Sequence, residues 1–155
     1  MIESLHIFGA ISGLVFGALV FLNPKGTRKH KLFGYAYFVS LMLVNASALS
    51  VYEQSPQGGP FHILAVVSLL TLAAGMVPVL TKRPKHAWLN LHAYFMSWSY
   101  VGLIGAGVGQ LGAATLDGSP AIAVFFPTVF VVLIGGLLIH SRTQKTLEPL
   151  LLRRG

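Results

Sequence analysis

Apolar positions in this chain are gathered into five long runs, and polar residues are concentrated in the short stretches between them. A helix that crosses a bilayer needs about 20 mostly apolar residues, and each run is of about that length. The pattern therefore predicts five transmembrane helices joined by loops too short to form another domain. We expect an all-α polytopic membrane helical bundle that makes one domain of residues 1–155. The expected helix bounds are about 2–22, 32–51, 61–80, 87–111 and 121–139.

The charges predict the orientation of these helices. Every lysine and arginine falls within residues 25–31, 82–85 or 142–154, whereas Glu3, Glu53 and Asp117 lie in the alternate segments. Cytoplasmic loops of membrane proteins carry an excess of Lys and Arg. The N-terminus is therefore expected outside and the C-terminus inside.

Two further expectations concern the first residues and the tail of the chain. The first residues have no basic stretch and no small-residue cleavage site, so we expect the first helix to be retained rather than removed as a signal peptide. The tail after Ser141 combines basic residues with several leucines, which is typical of a segment lying on the membrane surface.

Composition agrees with a membrane protein and excludes several other classes. Charged residues make up 10% of the chain, against about 25% in a soluble domain. The net charge of +7 lies beside apolar runs, so its expected partner is anionic lipid of the bilayer and not nucleic acid. The absence of cysteine excludes disulfides and thiolate metal sites. The expected location is the bacterial inner membrane, which the chain would cross several times.

Small residues recur three or four positions apart in two of the predicted helices. In a membrane such spacing lets the backbones of neighbouring helices approach closely, so we expect these residues at helix contacts. They are Gly9, Gly13 and Gly17 in the first helix and Gly102, Ala106 and Gly109 in the fourth.

Four histidines are the main chemical signal. His6 and His62 are expected near the outer surface, in the first and third helices, while His30 and His92 are expected near the inner surface, in the second and fourth. Ionisable side chains inside a bilayer are costly and usually face the interior of a bundle. In an up-down bundle the first and third helices are diagonal, as are the second and fourth. Diagonal histidines at one depth can ligate haem iron from both sides.

We therefore predict two b-type haems, an outer one ligated by His6 and His62 and an inner one ligated by His30 and His92. At a rise of about 1.5 Å per residue, the two levels are on the order of 20 Å apart, which suits electron transfer across the membrane. Four further residues complete the predicted cofactor sites. They are Gly9 and Gly34, which leave room on the faces of His6 and His30, and Arg28 and Arg83, which could meet the inner propionates.

Other interpretations of the histidines remain open. Each could simply extend to the membrane interface. An inner group of His30, His92 and either His86 or His140 could hold a zinc or copper ion in a membrane enzyme or transporter. The chain could also be a non-catalytic accessory subunit of a larger membrane complex, or a homo-oligomer. Because the sequence contains no nucleophile–base pair, phosphate loop or carboxylate pair, whether it is an enzyme stays open.

A quinone is the expected small-molecule partner of an electron-transfer protein in this location. Trp88, Tyr94 and Trp98 lie near the predicted inner surface, where their rings could contact it.

Two stretches of the sequence resemble a bacterial family of predicted multi-span membrane proteins of unknown function, over roughly residues 5 to 110. The motifs are His6-Ile-Phe-Gly9 with Gly13 and Gly17, the turn Lys25-Gly26-Thr-Arg-Lys-His30 with Gly34 and Tyr37, Trp88-Leu-Asn-Leu-His92, and Ser99-Tyr100-Val101-Gly102-Leu103. The chain departs from the family pattern at Lys31, where arginine is expected, and at Gln110, where an acid is expected. The resemblance implies a membrane topology and assigns no chemistry. The layered histidines also resemble the haem ligands of transmembrane b-type cytochromes, in arrangement and not in sequence.

Overall fold

A computed structural model describes the backbone of residues 2–50, 60–115 and 119–152, and the side chains of residues 2–50, 62–115, 119 and 122–141. The described residues form helices and loops without a strand, so the all-α prediction is confirmed. The helices are α1 (Ile2–Leu22), α2 (Arg28–Ser50), α3 (Pro60–Thr81), α4 (Trp88–Thr115) and α5 (Pro120–Leu152).

Four of the described helices are both long and apolar enough to cross a membrane, which confirms a polytopic membrane protein. The segments are Ile2–Leu22, Arg28–Ser50, His62–Thr81 and Ile122–Ser141. The helix α4 is also long enough, with 28 residues, but polar side chains such as Asn90, His92 and Gln110 reduce its hydropathy. That α4 crosses the membrane stays a prediction, supported by the charges, because only a crossing places the basic tail on the same side as the other basic loops.

The helix ends follow from local hydrogen bonds around the first basic loop. The Nζ atom of Lys25 donates to the carbonyl oxygens of Val20 at 2.7 Å and Phe21 at 3.4 Å, which satisfies the free carbonyl end of α1. Thr27 is the N-cap of α2, because its hydroxyl accepts the backbone N–H of His30 at 3.2 Å. Since this cap lies before the basic residues, α2 begins at Arg28, four residues earlier than the hydrophobic pattern predicted.

The basic tail continues α5 as far as Leu152. The helix runs unbroken from Pro120 to Leu152, whereas the sequence predicted that the last helix ends near residue 139 and that a separate surface segment follows. No glycine lies between Ser141 and Leu152, so no residue there favours the left-handed conformation that commonly ends a helix.

The chain divides into two compact units, residues 1–69 and 70–155. That residues 1–155 form a single domain stays a prediction. In the first unit α1 packs against α2, and Gly9, Gly13 and Gly17 are buried. A Cβ atom added at Gly9 would lie 3.1 Å from the side chain of Val44 and 3.2 Å from the carbonyl oxygen of Ser40. The glycine stripe of α1 is thus a helix contact, as the spacing predicted.

In the second unit α4 packs against α5 through a glycine stripe different from the predicted one. The buried residues are Gly105, Gly109 and Gly112, and a Cβ atom at Gly109 would lie 2.7 Å from the Thr128 hydroxyl of α5. Gly102 is exposed, with nothing within 4 Å of an added Cβ atom. The predicted stripe is confirmed at Gly109 and was wrong at Gly102, because at that level of α4 the neighbouring Val101 meets α5, where its side chain occupies the space beside Gly135.

Polar side chains are buried while large apolar ones face outward. Ser40, Asn45, Ser47 and Ser99 are buried, whereas side chains such as Phe130 are exposed. Apolar side chains on an outer surface are stable against lipid, and polar groups there are not. This distribution is typical of a protein in a bilayer.

Candidate functional site

The ring of His6, in α1, is oriented by a hydrogen bond to Ser47 of α2. Its Nδ1 atom lies 2.9 Å from the hydroxyl oxygen of Ser47. That hydroxyl donates its only proton to the carbonyl oxygen of Val44, at 2.9 Å. The Ser47 oxygen can therefore only accept from the histidine, which places the proton of neutral His6 on Nδ1. The lone pair of Nε2 is then the one that a metal ion would use.

The ring of His92, in α4, is oriented in a similar way, by a hydrogen bond to Gly75 of α3. Its Nδ1 atom lies 2.9 Å from the carbonyl oxygen of Gly75. A carbonyl oxygen can only accept, so the proton of neutral His92 is also on Nδ1. Nε2 again carries the lone pair. A histidine that donates Nδ1–H to a backbone carbonyl is the arrangement common among metal-ligating histidines.

The acceptor of His92 lies within α3, three residues before Pro78. A Cβ atom at Gly75 would lie 2.8 Å from the sulfur of Met96 and 3.3 Å from the backbone nitrogen of Met96. Met96 follows His92 by one helical turn, so the glycine allows this part of α4 to approach α3. Pro78, three residues after Gly75, lies inside α3 and interrupts its ladder of backbone hydrogen bonds.

The other two predicted haem ligands, His62 and His30, lie in α3 and α2. His62 is half-buried in α3, with its Nε2 atom buried, and His30 is half-buried in α2, with its Nδ1 atom buried. His6, His62 and His30 belong to the first unit, and His92 belongs to the second. Ligation of an outer haem by His6 and His62, and of an inner haem by His30 and His92, stays a prediction.

The other predicted cofactor residues lie in different surroundings. Gly9 is in the α1–α2 contact, so close packing of these helices by itself accounts for a glycine there. Gly34 has nothing within 4 Å of an added Cβ atom, which leaves open space one turn from His30. Arg28 and Arg83 are exposed, in different units. Their contact with propionates stays a prediction.

His86 and His140 have exposed side chains. Among the residues whose placement is described, no three His, Asp or Glu side chains come together as a possible metal site. The inner zinc or copper site suggested by the sequence therefore gains no support from the geometry.

Aromatic side chains of α4 make two separate contacts in the second unit. The ammonium group of Lys82 lies 4.2 Å from the ring centre of Trp88, and the rings of Tyr94 and Trp98 meet edge to face at 6.3 Å. A Cβ atom at Gly136 of α5 would lie 3.1 Å from the Trp98 ring. Of the three residues that the sequence associated with a quinone, Tyr94 and Trp98 are thus in contact with each other, and Trp88 is in contact with Lys82.

Sequence reasoning missed the acceptors Ser47 and Gly75. Ser47 is one of several serines in apolar helices, and nothing in the sequence distinguishes it as the partner of His6. Pro78 gave a partial signal, because a proline inside an apolar helix frees the carbonyl four residues before it, that of Ala74, which adjoins Gly75. The hydrogen bond from Asn45 to the Ser68 hydroxyl, at 3.0 Å, was also unforeseen.

Comparison with known proteins gives a membrane family and no chemistry. Residues 4–142 match the family described as "Predicted membrane protein (DUF2306)". Searches of curated proteins and of solved structures returned no match.

Proposed function

Taking as given that the chain belongs to this family of membrane proteins of unknown function, we propose that it is a small integral-membrane haem protein. It binds b-type haem through pairs of histidines at two depths of the membrane and transfers electrons across or within the bilayer. The haem supplies the redox chemistry, while the chain supplies ligands, burial and spacing.

The observation that carries this proposal is the orientation of His6 and His92. Both are half-buried, both donate Nδ1–H to a fixed oxygen at 2.9 Å, and both keep the Nε2 lone pair for iron. A histidine that merely extends to the membrane interface does not need its ring held by a neighbouring helix. Two such residues in different units favour ligation over an interfacial role.

Other features are consistent with haem. His62 and His30 supply the remaining imidazoles at the two predicted levels. The open space at Gly34 leaves room beside His30 for a flat ring. The exposed guanidinium groups of Arg28 and Arg83 provide positive charge for propionates on the inner side.

A quinone is the proposed electron donor or acceptor. The edge of the Tyr94 ring, which is 44% exposed on α4, and the neighbouring Trp98 ring offer an aromatic contact for a quinone head group dissolved in the bilayer. Reduction and oxidation of a quinone exchange electrons with the haem and protons with water.

An absorption spectrum of protein purified from haem-replete cells tests the proposal. We expect a Soret band, a sharpened α band on reduction, and about two haems per chain by pyridine haemochrome assay. His6→Ala and His92→Ala should each reduce the haem content by about one, whereas His86→Ala, at an exposed histidine, should not. A wild-type protein without a Soret band would exclude the proposal, and stoichiometric zinc or copper without porphyrin would replace haem by a metal site.

A further inference from the structure

We propose that Gly75 of α3 is a positioning residue for His92, whose carbonyl oxygen sets both the direction of the His92 ring and the ligand strength of its Nε2 atom. The inference rests on the proposed function, because it assigns the residue that regulates the inner haem. It goes beyond the proposed function because Gly75 accepts a hydrogen bond from His92 and is not itself a haem ligand.

The geometry of the turn around Gly75 carries the inference. The Nδ1–Gly75 oxygen distance is 2.9 Å, which is the usual length of a well-formed hydrogen bond. Any side chain at position 75 would meet Met96, whose Sδ and Cγ atoms would lie 2.8 Å and 3.0 Å from an added Cβ atom. The hydrogen bond and the missing side chain thus belong to one contact between α3 and α4.

Pro78 makes this carbonyl region an unusual part of a membrane helix. A proline has no N–H and its ring crowds the preceding turn, so the carbonyl of Ala74 loses its helical donor. The Nδ1–H of His92 goes to the next carbonyl, that of Gly75. A carbonyl oxygen has two lone pairs, so Gly75 can accept this bond beside its helical donor four residues on, the N–H of Val79.

The hydrogen bond has a direct consequence for a bound metal. A donated Nδ1–H increases the electron density on the imidazole and therefore the basicity of Nε2. A more basic ligand stabilises ferric iron over ferrous iron, which lowers the reduction potential of the inner haem. Weakening the contact should raise that potential and leave the outer haem, near His6, unchanged.

Gly75→Ala is the test variant. Its new methyl group would press on the flexible Met96 side chain and would lie 3.3 Å from the Met96 backbone nitrogen, so α4 must move away and lengthen the His92 hydrogen bond. The double variant Gly75→Ala/Met96→Ala removes the side-chain overlap but keeps the 3.3 Å contact with the backbone nitrogen of residue 96, so it should restore the wild-type potential only in part. Gly102→Ala is the matched control in α4, because nothing lies within 4 Å of its added Cβ atom.

Redox titration followed in the α band gives the readout. We expect the inner midpoint potential to rise in Gly75→Ala, to return part of the way in the double variant and to stay unchanged in Gly102→Ala. An unchanged potential in Gly75→Ala, with both haems bound, overturns the inference but leaves the proposed function standing.

A second measurement does not depend on haem or on the folding of a variant. Nitrogen-15 spectra of histidine-labelled wild-type protein, assigned by comparison with His92→Gln, report which ring nitrogen carries the proton. An Nδ1–H tautomer at His92 supports Gly75 as its acceptor even if the protein proves to lack haem. An Nε2–H tautomer overturns the inference.

Discussion

Replacing Gly112 by alanine tests the contact between α4 and α5. Gly112 is buried in α4. An added Cβ atom would overlap the carbonyl oxygen of Ala123 and would lie 3.3 Å from the ring of Pro127. A backbone carbonyl and a proline ring cannot rotate away as a flexible side chain can. The helices must therefore separate, and the packing of the whole stripe is weakened.

The expected magnitude follows from two opposing effects. Inserting a methyl group into a well-packed contact costs about 1–3 kcal/mol, while replacing glycine by alanine within a helix returns up to about 1 kcal/mol. Gly112→Ala should therefore lose up to about 3 kcal/mol of stability. The control Gly107→Ala, on the same helix with nothing within 4 Å of its added Cβ atom, should gain up to about 1 kcal/mol.

Both variants can be compared in detergent micelles. Unfolding by dodecyl sulfate, followed by far-ultraviolet circular dichroism and by the fluorescence of Trp98 at the α4–α5 contact, gives the difference in the free energy of unfolding. Equal stability of Gly112→Ala and Gly107→Ala would show that α5 does not approach α4 at Ala123, and the account of the glycine stripe would be wrong.

Three further changes test local interactions. Ser47→Ala removes the acceptor of the His6 Nδ1–H and should cost about 0.5–1.5 kcal/mol, measured by the same unfolding titration. Thr27→Ala removes the cap that accepts from His30 and should cost about 1 kcal/mol, most of which Thr27→Ser should restore. Burial lowers the pKa of the Lys25 ammonium group below its ordinary value of 10.5, so the unfolded chain binds more protons than the folded protein just below that pH. Stability should therefore rise with pH in that alkaline window, and Lys25→Met should remove the rise.

The helices were largely predictable from the sequence because a helix that crosses a membrane needs about 20 mostly apolar residues in a row. The first helix, Ile2–Leu22, was predicted to the residue, since a polar turn follows it directly. Local hydrogen bonding decided the start of α2, where the Thr27 cap lies before charged residues that a hydropathy pattern assigns to a loop. The end of α5 differed because charged residues, which a hydropathy pattern assigns to a loop, continue the helix there.

The candidate site was predictable only in its residue types. The sequence was sufficient to place His6 near the start of α1 and His92 near the start of α4. Their acceptors could not, because Ser47 and Gly75 are defined by which helix face meets which. The register between two apolar helices depends on close packing, and hydrophobicity does not report it. The error at Gly102 has the same origin.

The amide of Asn45, buried in α2, donates to the Ser68 hydroxyl of α3, and this contact bears on the order in which the protein is made. The pair α1–α2 leaves the ribosome before α3 does, and its glycine contact is already complete within those two helices. The Asn45 amide lacks this acceptor until Ser68 has been synthesised. Because an unsatisfied polar group within a bilayer is costly, the hydrogen bond favours association of the third helix with the first two as soon as it is made.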